Sequence, residues 1–329
     1  MMPNKRPLIP GVPAVAMHTI RTRILLCILG VHTLLRIAHP CEGKNPEAGF
    51  FLPANNAEVT ISYMTYNDLI VLPVTINNGI KVNLILDTGC RNVLLFGKRF
   101  EKLFGTLPNR EVRFSGYGER PPLTGKLSLE NEVSIHTIVG KRIPIVILRD
   151  KNLFSGNSNI DGIIGYDIFI RFEVEVNSLR KEITFRSAYL TENLVGYTRI
   201  PLKVEDTRPL VQSRIFFSER DEINFDLMLD TGSALGLFIR SSDNVLLAQA
   251  PKQMLGKGLG GNVKGTLRGA KKIVLEKLEI NIRDASIYGS MYYTSGSVGM
   301  QIIKDYAFVL NYCKGYAWFK KMHSQKKLT

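Results

Sequence analysis

Two aspartates in the same short motif are the residues of this chain whose types and spacing most clearly suggest chemistry. Residues 82–90 read Val-Asn-Leu-Ile-Leu-Asp-Thr-Gly-Cys, and 143 positions later residues 225–233 read Phe-Asp-Leu-Met-Leu-Asp-Thr-Gly-Ser. Two carboxyl groups held about 3 Å apart cannot easily both be ionised, so one of them stays protonated over a useful pH range. Such a pair can take a proton from water and give one to the leaving nitrogen of an amide. The sequence therefore predicts that Asp87 and Asp230 form one catalytic pair that hydrolyses peptide bonds.

The neighbours of each aspartate are suited to hold it in place. Apolar residues 84–86 and 227–229 should bury the strands that lead to the two aspartates. A glycine after Asp-Thr allows close backbone approach and can donate its N–H to the carboxylate, and each threonine hydroxyl can hydrogen-bond to the loop of the other copy. The residues with this supporting role are Thr88, Gly89 and Cys90 in the first copy and Thr231, Gly232 and Ser233 in the second.

The elements that must position the aspartates are also repeated. In both copies two strand-like runs joined by a turn precede the aspartate, which predicts a hairpin whose return strand delivers it. Further along, residues 164–185 match residues 298–319 at a constant offset of 134 without a gap. Both stretches predict an apolar strand ending at a glycine (Gly165, Gly299), a short helix and a hairpin. We interpret this as an internal duplication that supplies one aspartate per copy.

A glycine-rich segment lies between the aspartate and the supporting glycine in each half. Gly125 in the first half and Gly265 in the second follow their aspartates at similar spacing, and alternating apolar residues flank both segments. This pattern predicts one mobile hairpin per half. Residues 256–261 also satisfy G-x-G-x-x-G, but no helix start follows them, so a dinucleotide site is not predicted. The residues expected at the two hairpin tips are Gly116, Tyr117, Gly118, Gly260 and Gly261.

On these motifs the chain resembles the pepsin and retropepsin superfamily of aspartic peptidases, in the style of bacterial single-chain aspartyl proteases with two Asp-Thr-Gly lobes. The resemblance covers about residues 57 to 320. It implies that the glycine-rich hairpins are flaps over the substrate, with Tyr117 as a substrate contact, and that Gly165 and Gly299 support the aspartate loops. Cys90 departs from the serine, threonine or alanine that usually follows the first Asp-Thr-Gly.

Strand-like runs dominate the chain, and long helical periodicity is absent. We predict an all-β, two-lobed pepsin-like or retropepsin-like acid protease fold with internal pseudo-twofold symmetry. The boundaries are a leader at 1–43, an N-terminal lobe at 57–190, a C-terminal lobe at 198–320 and a basic tail at 321–329.

The composition of the chain argues against several other classes of function. The net charge of +14 owes much to the leader and the tail, and there is no basic helix face, so nucleic-acid binding is not predicted. Cys27 would leave with the signal peptide, and the remaining Cys41, Cys90 and Cys313 are too few and too widely spaced for a disulfide framework or a zinc site. No metal or other cofactor is implied. His136 is the only histidine between leader and tail, which argues against a serine or cysteine nucleophile with a histidine base.

The leader has the charged start and short apolar run of a secretory signal peptide. The apolar run at residues 24–35 has twelve residues, whereas a membrane-spanning helix needs about 20. We therefore expect an exported protein (periplasmic, secreted or associated with the cell envelope) without a membrane span in its mature form.

The function predicted from the sequence is that of a monomeric aspartic endopeptidase acting on peptide or protein substrates. The alternative is a catalytically inactive, two-lobed peptide-binding protein with the same fold. The difference between Cys90 and Ser233 adds a finer prediction, because a thiol is a weaker hydrogen-bond donor than a hydroxyl. Asp230 should carry the negative charge more of the time, and Asp87 should hold the shared proton.

Overall fold

The computed structural model describes residues 48–77, 79–104, 110–114, 116–118, 120–149, 159–189, 193–242, 246, 251–289 and 294–322. The predicted leader and signal peptide lie outside these ranges, as does the tail beyond residue 322. None of the helices in the described ranges is long and apolar enough to cross a membrane. Strands are numbered β1–β25 and helices α1–α3 in chain order.

The first half of the chain forms a nine-stranded sheet in the order β1-β9-β6-β10-β5-β4-β8-β7, with β3 paired to β4. The hairpin of β4 and β5 ends directly before Asp87, and β10 runs parallel to β5 and antiparallel to β6. The strands of this sheet are β1 (Gly49–Phe51), β3 (Met64–Tyr66), β4 (Leu69–Ile76), β5 (Ile80–Leu86), β6 (Val93–Phe96), β7 (Glu111–Phe114), β8 (Leu123–Ile135), β9 (Ile138–Leu148) and β10 (Gly162–Ile164), and helix α1 (Lys98–Leu103) follows β6.

The second half forms a ten-stranded sheet in the order β18-β19-β22-β17-β23-β16-β15-β20-β21, with β14 paired to β15. It repeats the same arrangement: the hairpin of β15 and β16 ends at Asp230, and β23 runs parallel to β16 and antiparallel to β17. Its strands are β14 (Lys203–Glu205), β15 (Arg208–Phe216), β16 (Glu222–Asp230), β17 (Leu237–Ser241), β18 (Gln253–Gly258), β19 (Gly261–Gly269), β20 (Lys272–Leu275), β21 (Leu278–Asn281), β22 (Asp284–Gly289) and β23 (Ser295–Gly299).

A third sheet of six strands is shared by the two halves. Its order is β13-β25-β24-β11-β12-β2, so the central pairing of β11 with β24 joins them. The predicted lobe boundaries do not indicate this sheet, which contains strands from both lobes, among them β2 from the first and β13 from the second. The predicted start of the first lobe at residue 57 also leaves out β1, which pairs with β9. The strands are β2 (Glu58–Ser62), β11 (Phe172–Asn177), β12 (Glu182–Ser187), β13 (Thr198–Pro201), β24 (Tyr306–Asn311) and β25 (Tyr316–Lys321).

The strand, helix and hairpin predicted for residues 164–185 and 298–319 are present in both segments. Helix α2 (Tyr166–Phe169) precedes β11 and β12, and helix α3 (Met300–Ile303) precedes β24 and β25, each element at the offset of the sequence repeat from its counterpart. The matched asparagines explain part of the sequence repeat. The side-chain carbonyl of Asn177 accepts the backbone N–H of Arg180 at 3.1 Å, and that of Asn311 accepts the N–H of Lys314 at 3.0 Å. Both residues close the same hairpin turn.

One large apolar cluster contains residues from all three sheets and includes the strands that lead to the aspartates. Leu84 and Leu86 in β5, and Leu227 and Leu229 in β16, are buried as predicted. Burying one such side chain stabilises a fold by roughly 1.5–3 kcal/mol, so both aspartate loops are anchored to the core. The predicted all-β class is confirmed, and the paired halves are consistent with a two-lobed aspartyl protease fold.

Cys313, near the end of the shared sheet, is disulfide-bonded, and its partner is not among the described residues. The spacing of the cysteines in the sequence does not predict this bond. Cys90 has a free thiol.

Candidate active site

Reciprocal hydrogen bonds join the two Asp-Thr-Gly loops. The backbone N–H of Thr88 donates to Thr231 Oγ1 at 3.1 Å, and the N–H of Thr231 donates to Thr88 Oγ1 at 3.0 Å. Each hydroxyl in turn donates across the interface, Thr88 to the Leu229 carbonyl at 2.6 Å and Thr231 to the Leu86 carbonyl at 2.7 Å. Both threonines are almost fully buried. Water therefore cannot replace these bonds, and the two loops are held in one fixed relation.

The carboxylates are held by the glycines that follow them. Gly89 N–H donates to Asp87 Oδ1 at 2.7 Å, and Gly232 N–H donates to Asp230 Oδ1 at 3.1 Å. The carboxyl group of Asp87 also reaches the opposite loop. A Cβ added to Gly232 would lie 2.2 Å from Asp87 Cγ, closer than atoms can approach, so only glycine fits there. The structure thus brings the first-lobe carboxylate against the second Asp-Thr-Gly motif.

Gly165 and Gly299 lie beneath the two loops. A Cβ on Gly165 would meet the carbonyl oxygen of Asp87 at 1.9 Å, and one on Gly299 would meet that of Leu235 at 2.3 Å. The chain just before Gly165 is also bonded to the loop, since Asp87 N–H donates to the Ile164 carbonyl at 2.8 Å. The absence of a side chain at these glycines is what lets each supporting element pack directly against its loop.

Burial shifts the titration of both aspartates in the same direction. It raises the pKa of Asp87 to about 6, against the opposing effect of the Gly89 and Cys90 backbone N–H groups. It raises the pKa of Asp230 to about 7, and the negative charge of Asp87 adds to the rise. The two groups titrate as one coupled pair. Between these pH values the pair holds one proton and one negative charge, the state that acid–base catalysis by two carboxyls requires.

The roles predicted for the two aspartates rest on a side-chain donor beside each carboxyl group, Cys90 for Asp87 and Ser233 for Asp230. The side chains after the two Asp-Thr-Gly motifs do not have the expected contacts. Cys90 Sγ donates to the Asn92 carbonyl at 3.0 Å, and Ser233 Oγ accepts the Leu235 N–H at 3.3 Å. The side-chain donor to Asp230 is Ser297 instead. Burial and the charge of Asp87 raise the pKa of Asp230 against the effect of that donor, and the two carboxyl groups lose their protons as one coupled pair.

We therefore expect Cys90→Ser to leave the pH dependence of activity unchanged. The serine hydroxyl can donate to the Asn92 carbonyl that now receives the thiol, so Asp87 gains no new donor. The measurement is kcat/KM against pH for the wild type and the variant. A shift of the acidic limb to lower pH would instead support the sequence prediction that the weak donor Cys90 governs the ionisation of Asp87.

The two glycine-rich hairpins, β7–β8 and β18–β19, meet at their tips. Gly260 N–H donates to the Tyr117 carbonyl at 3.0 Å, and Arg120 N–H donates to the Gly260 carbonyl at 2.8 Å. The tip glycines allow this contact. A Cβ on Gly118 would lie 2.2 Å from the Gly260 carbonyl oxygen, and one on Gly116 would lie 2.4 Å from Leu259 Cβ. Gly118 and Gly261 also have positive φ values of 128° and 91°, which favour glycine.

Each hairpin tip contacts the opposite lobe. The Tyr117 ring lies edge-on to Phe238 with centroids 4.9 Å apart, and 6.3 Å from the Tyr288 ring. Leu259, in the other tip, packs against an apolar cluster of the first lobe. The buried members of that cluster are Leu94, Phe96, Val146, Leu148 and Ile163. Nothing in the sequence indicates this crossing, because it depends on contacts between segments from opposite halves of the chain.

Tyr312 is a further residue of the site that the sequence does not reveal. Its hydroxyl donates to the Thr88 carbonyl at 3.3 Å, and its ring stacks on Phe169 with centroids 5.2 Å apart. Burial raises the pKa of Tyr312, and the charges of Asp87 and Asp230 raise it further, so the phenol stays protonated. The residue at the same place in the first repeat is Ser178, so the repeat carries no sign of this role.

Within the part of the chain that the structure describes, no cluster of three or more histidine, cysteine or acidic side chains is arranged to bind a metal ion.

Residues 72–168 match the model of a protein family described as aspartyl protease. This segment is similar to aspartyl proteases. It contains the first Asp-Thr-Gly loop, the first glycine-rich hairpin and Gly165, and it covers less than a third of the 329 residues. No curated protein matches the chain significantly. The match supports the aspartyl protease superfamily and a general protease function, and the second Asp-Thr-Gly half lies outside it.

Proposed function

We propose that this chain is an aspartic endopeptidase with two Asp-Thr-Gly lobes, as in bacterial single-chain enzymes, and that Asp87 and Asp230 are its catalytic residues. The observation that carries the proposal is the reciprocal bonding of Thr88 and Thr231, which brings the two aspartate loops together. Both aspartates come from one chain, so a monomer has the complete site. Export remains a prediction from the leader sequence.

In the proposed mechanism the pair holds one proton, and we assign the ionised carboxyl to Asp87 and the protonated carboxyl to Asp230. Ionised Asp87 takes a proton from water as the water oxygen bonds to the substrate carbonyl carbon, and Asp230 gives its proton to the carbonyl oxygen. Asp87 then passes its proton to the amide nitrogen as the C–N bond breaks. Asp230 recovers a proton from one of the two hydroxyls on the former carbonyl carbon, which restores the starting state.

The two glycine-rich hairpins favour a particular class of substrate. Two hairpins that meet at their tips suit an extended peptide, whose backbone can pair with the hairpin strands. The tips are joined through Gly260, so they must separate before a peptide can enter. Peptide and protein chains that can adopt an extended form are therefore the proposed substrates.

Peptide cleavage in water enriched in ¹⁸O tests this function. We expect one ¹⁸O atom in each new carboxyl group and no acyl group attached to the enzyme, because water attacks directly. The measurement is mass spectrometry of the products and of the protein, using a mixed peptide library between pH 4 and pH 9. A covalent acyl-enzyme would contradict the mechanism. Tight peptide binding without cleavage at any pH would favour the inactive, peptide-binding alternative.

A further inference from the structure

The two lobes differ at one position that faces their aspartates. Ile163 and Ser297 are equivalent at the repeat offset of 134. Each pairs in a parallel ladder with the residue two positions before the aspartate of its own lobe. Since side chains alternate between the faces of a strand, Ile163 lies on the same face as Asp87, and Ser297 lies on the same face as Asp230.

The surroundings of these two side chains are chemically opposite. Ser297 is 3% exposed, and its hydroxyl hydrogen-bonds to the Asp230 carboxyl group. Ile163 is 7% exposed and belongs to the apolar cluster of the first lobe, against which Cys90 also packs. The strand next to Asp230 thus carries a hydroxyl donor, Ser297, whereas the strand next to Asp87 carries a hydrocarbon side chain, Ile163, at the equivalent position.

We infer that Ser297 is a positioning residue that fixes the orientation of the Asp230 carboxyl group and stabilises its ionised form. This inference rests on the proposed function. A buried serine that only filled space would not need to lie on the face of the aspartate or to direct its hydroxyl at it. The apolar Ile163 at the equivalent place indicates that the fold itself does not require a hydroxyl there.

The hydrogen bond has a definite electrostatic effect. A donor to the ionised form of a carboxyl group lowers its pKa, so Ser297 limits the rise that burial and Asp87 cause at Asp230. Removing the hydroxyl should raise the pKa of Asp230 further. The alkaline limb of the pH profile, where the pair loses its last proton, should then move to higher pH.

The test compares Ser297→Ala with Ser297→Thr and with Ile163→Val, a matched change at the equivalent buried position. We expect Ser297→Ala to move the alkaline limb of kcat/KM upward by about one pH unit, since hydrogen bonds to charged groups have this order of strength. Ser297→Thr retains a hydroxyl and should restore the wild-type limb. Ile163→Val should leave both limbs in place.

A second readout does not depend on turnover. Carbon-13 NMR of labelled aspartate carboxyl groups should show the same upward shift for Asp230 in Ser297→Ala. Unchanged titration in a folded Ser297→Ala protein would overturn the inference while leaving the proposed function intact. A shifted titration in a protein that cleaves no peptide would instead refute the function alone. Should Ser297→Ala fail to fold, Ser297→Cys decides by the same titration, because a thiol is a weak donor.

Discussion

Asp87→Asn is expected to lower kcat/KM for peptide cleavage by about 10²–10⁴-fold, because the pair loses the carboxylate that takes the proton from water. The fold should remain, since the asparagine carbonyl can still accept the Gly89 N–H that Asp87 now accepts at 2.7 Å. The measurement is cleavage of the best peptide from the library, compared at the pH optimum of the wild type.

The same substitution should not lower stability at pH 7. The pKa of Asp87 is raised to about 6 from 3.8, so the folded state holds its proton more tightly than the unfolded state does. The favourable contribution of the protonated form is complete below about pH 4 and is lost as the pH rises through 6. An asparagine is neutral at every pH and avoids this loss. We therefore expect thermal unfolding at pH 7 to occur at the wild-type temperature or above it.

Asp226→Asn is the matched control, because Asp226 is exposed on β16, the same strand that ends at Asp230. It should retain wild-type activity and stability. An Asp87→Asn protein that folds and still cleaves within threefold of the wild-type rate would exclude Asp87 as the base.

Thr88→Val is expected to destabilise the protein strongly and to reduce cleavage with it. Valine has the shape of threonine but leaves two buried groups without their partner, the Thr231 N–H and the Leu229 carbonyl. Each unsatisfied group costs about 1–3 kcal/mol, so the two together should cost at least about 2 kcal/mol. Equilibrium unfolding in urea gives the loss of stability, and kcat/KM at the same pH gives the loss of activity.

Two variants separate the effect of the loop bonds from the general cost of removing a threonine. Thr88→Ser keeps the hydroxyl and should retain most of the stability. Thr184→Val removes a bond of 2.8 Å to Thr60 in the shared sheet, away from the aspartates, and should cost much less. If Thr88→Val and Thr184→Val were equally mild, the reciprocal threonine bonds would not be what holds the two lobes together.

The local parts of the site follow from the sequence because local patterns determine them. Apolar strands running into Asp-Thr-Gly, the glycines beneath the loops and the hairpin turns at Asn177 and Asn311 all depend on residues close together in the chain. The repeat then pairs each element with its counterpart. These are the features that strand periodicity and glycine placement encode.

What the sequence does not reveal depends on contacts between distant segments. The six-stranded sheet pairs β11 with β24, which come from opposite halves of the chain, and alternation within a strand does not identify its partner. The crossing of Tyr117 and Leu259 to opposite lobes has the same origin. The sequence also does not reveal that the side chains of Cys90 and Ser233 bond to the backbone, at Asn92 and Leu235, while Ser297 on a different strand supplies a donor to Asp230.

The dependence of kcat/KM on pH tests most directly whether Asp87 and Asp230 act as one pair that shares a proton. We predict a bell-shaped profile that rises through about pH 6 as the pair loses its first proton and falls through about pH 7 as it loses its second. Replacing either aspartate with asparagine should abolish the peptide cleavage from which the bell-shaped profile is measured. A profile with a single limb, or one unchanged in an active Asp230→Asn protein, would contradict the shared-proton pair.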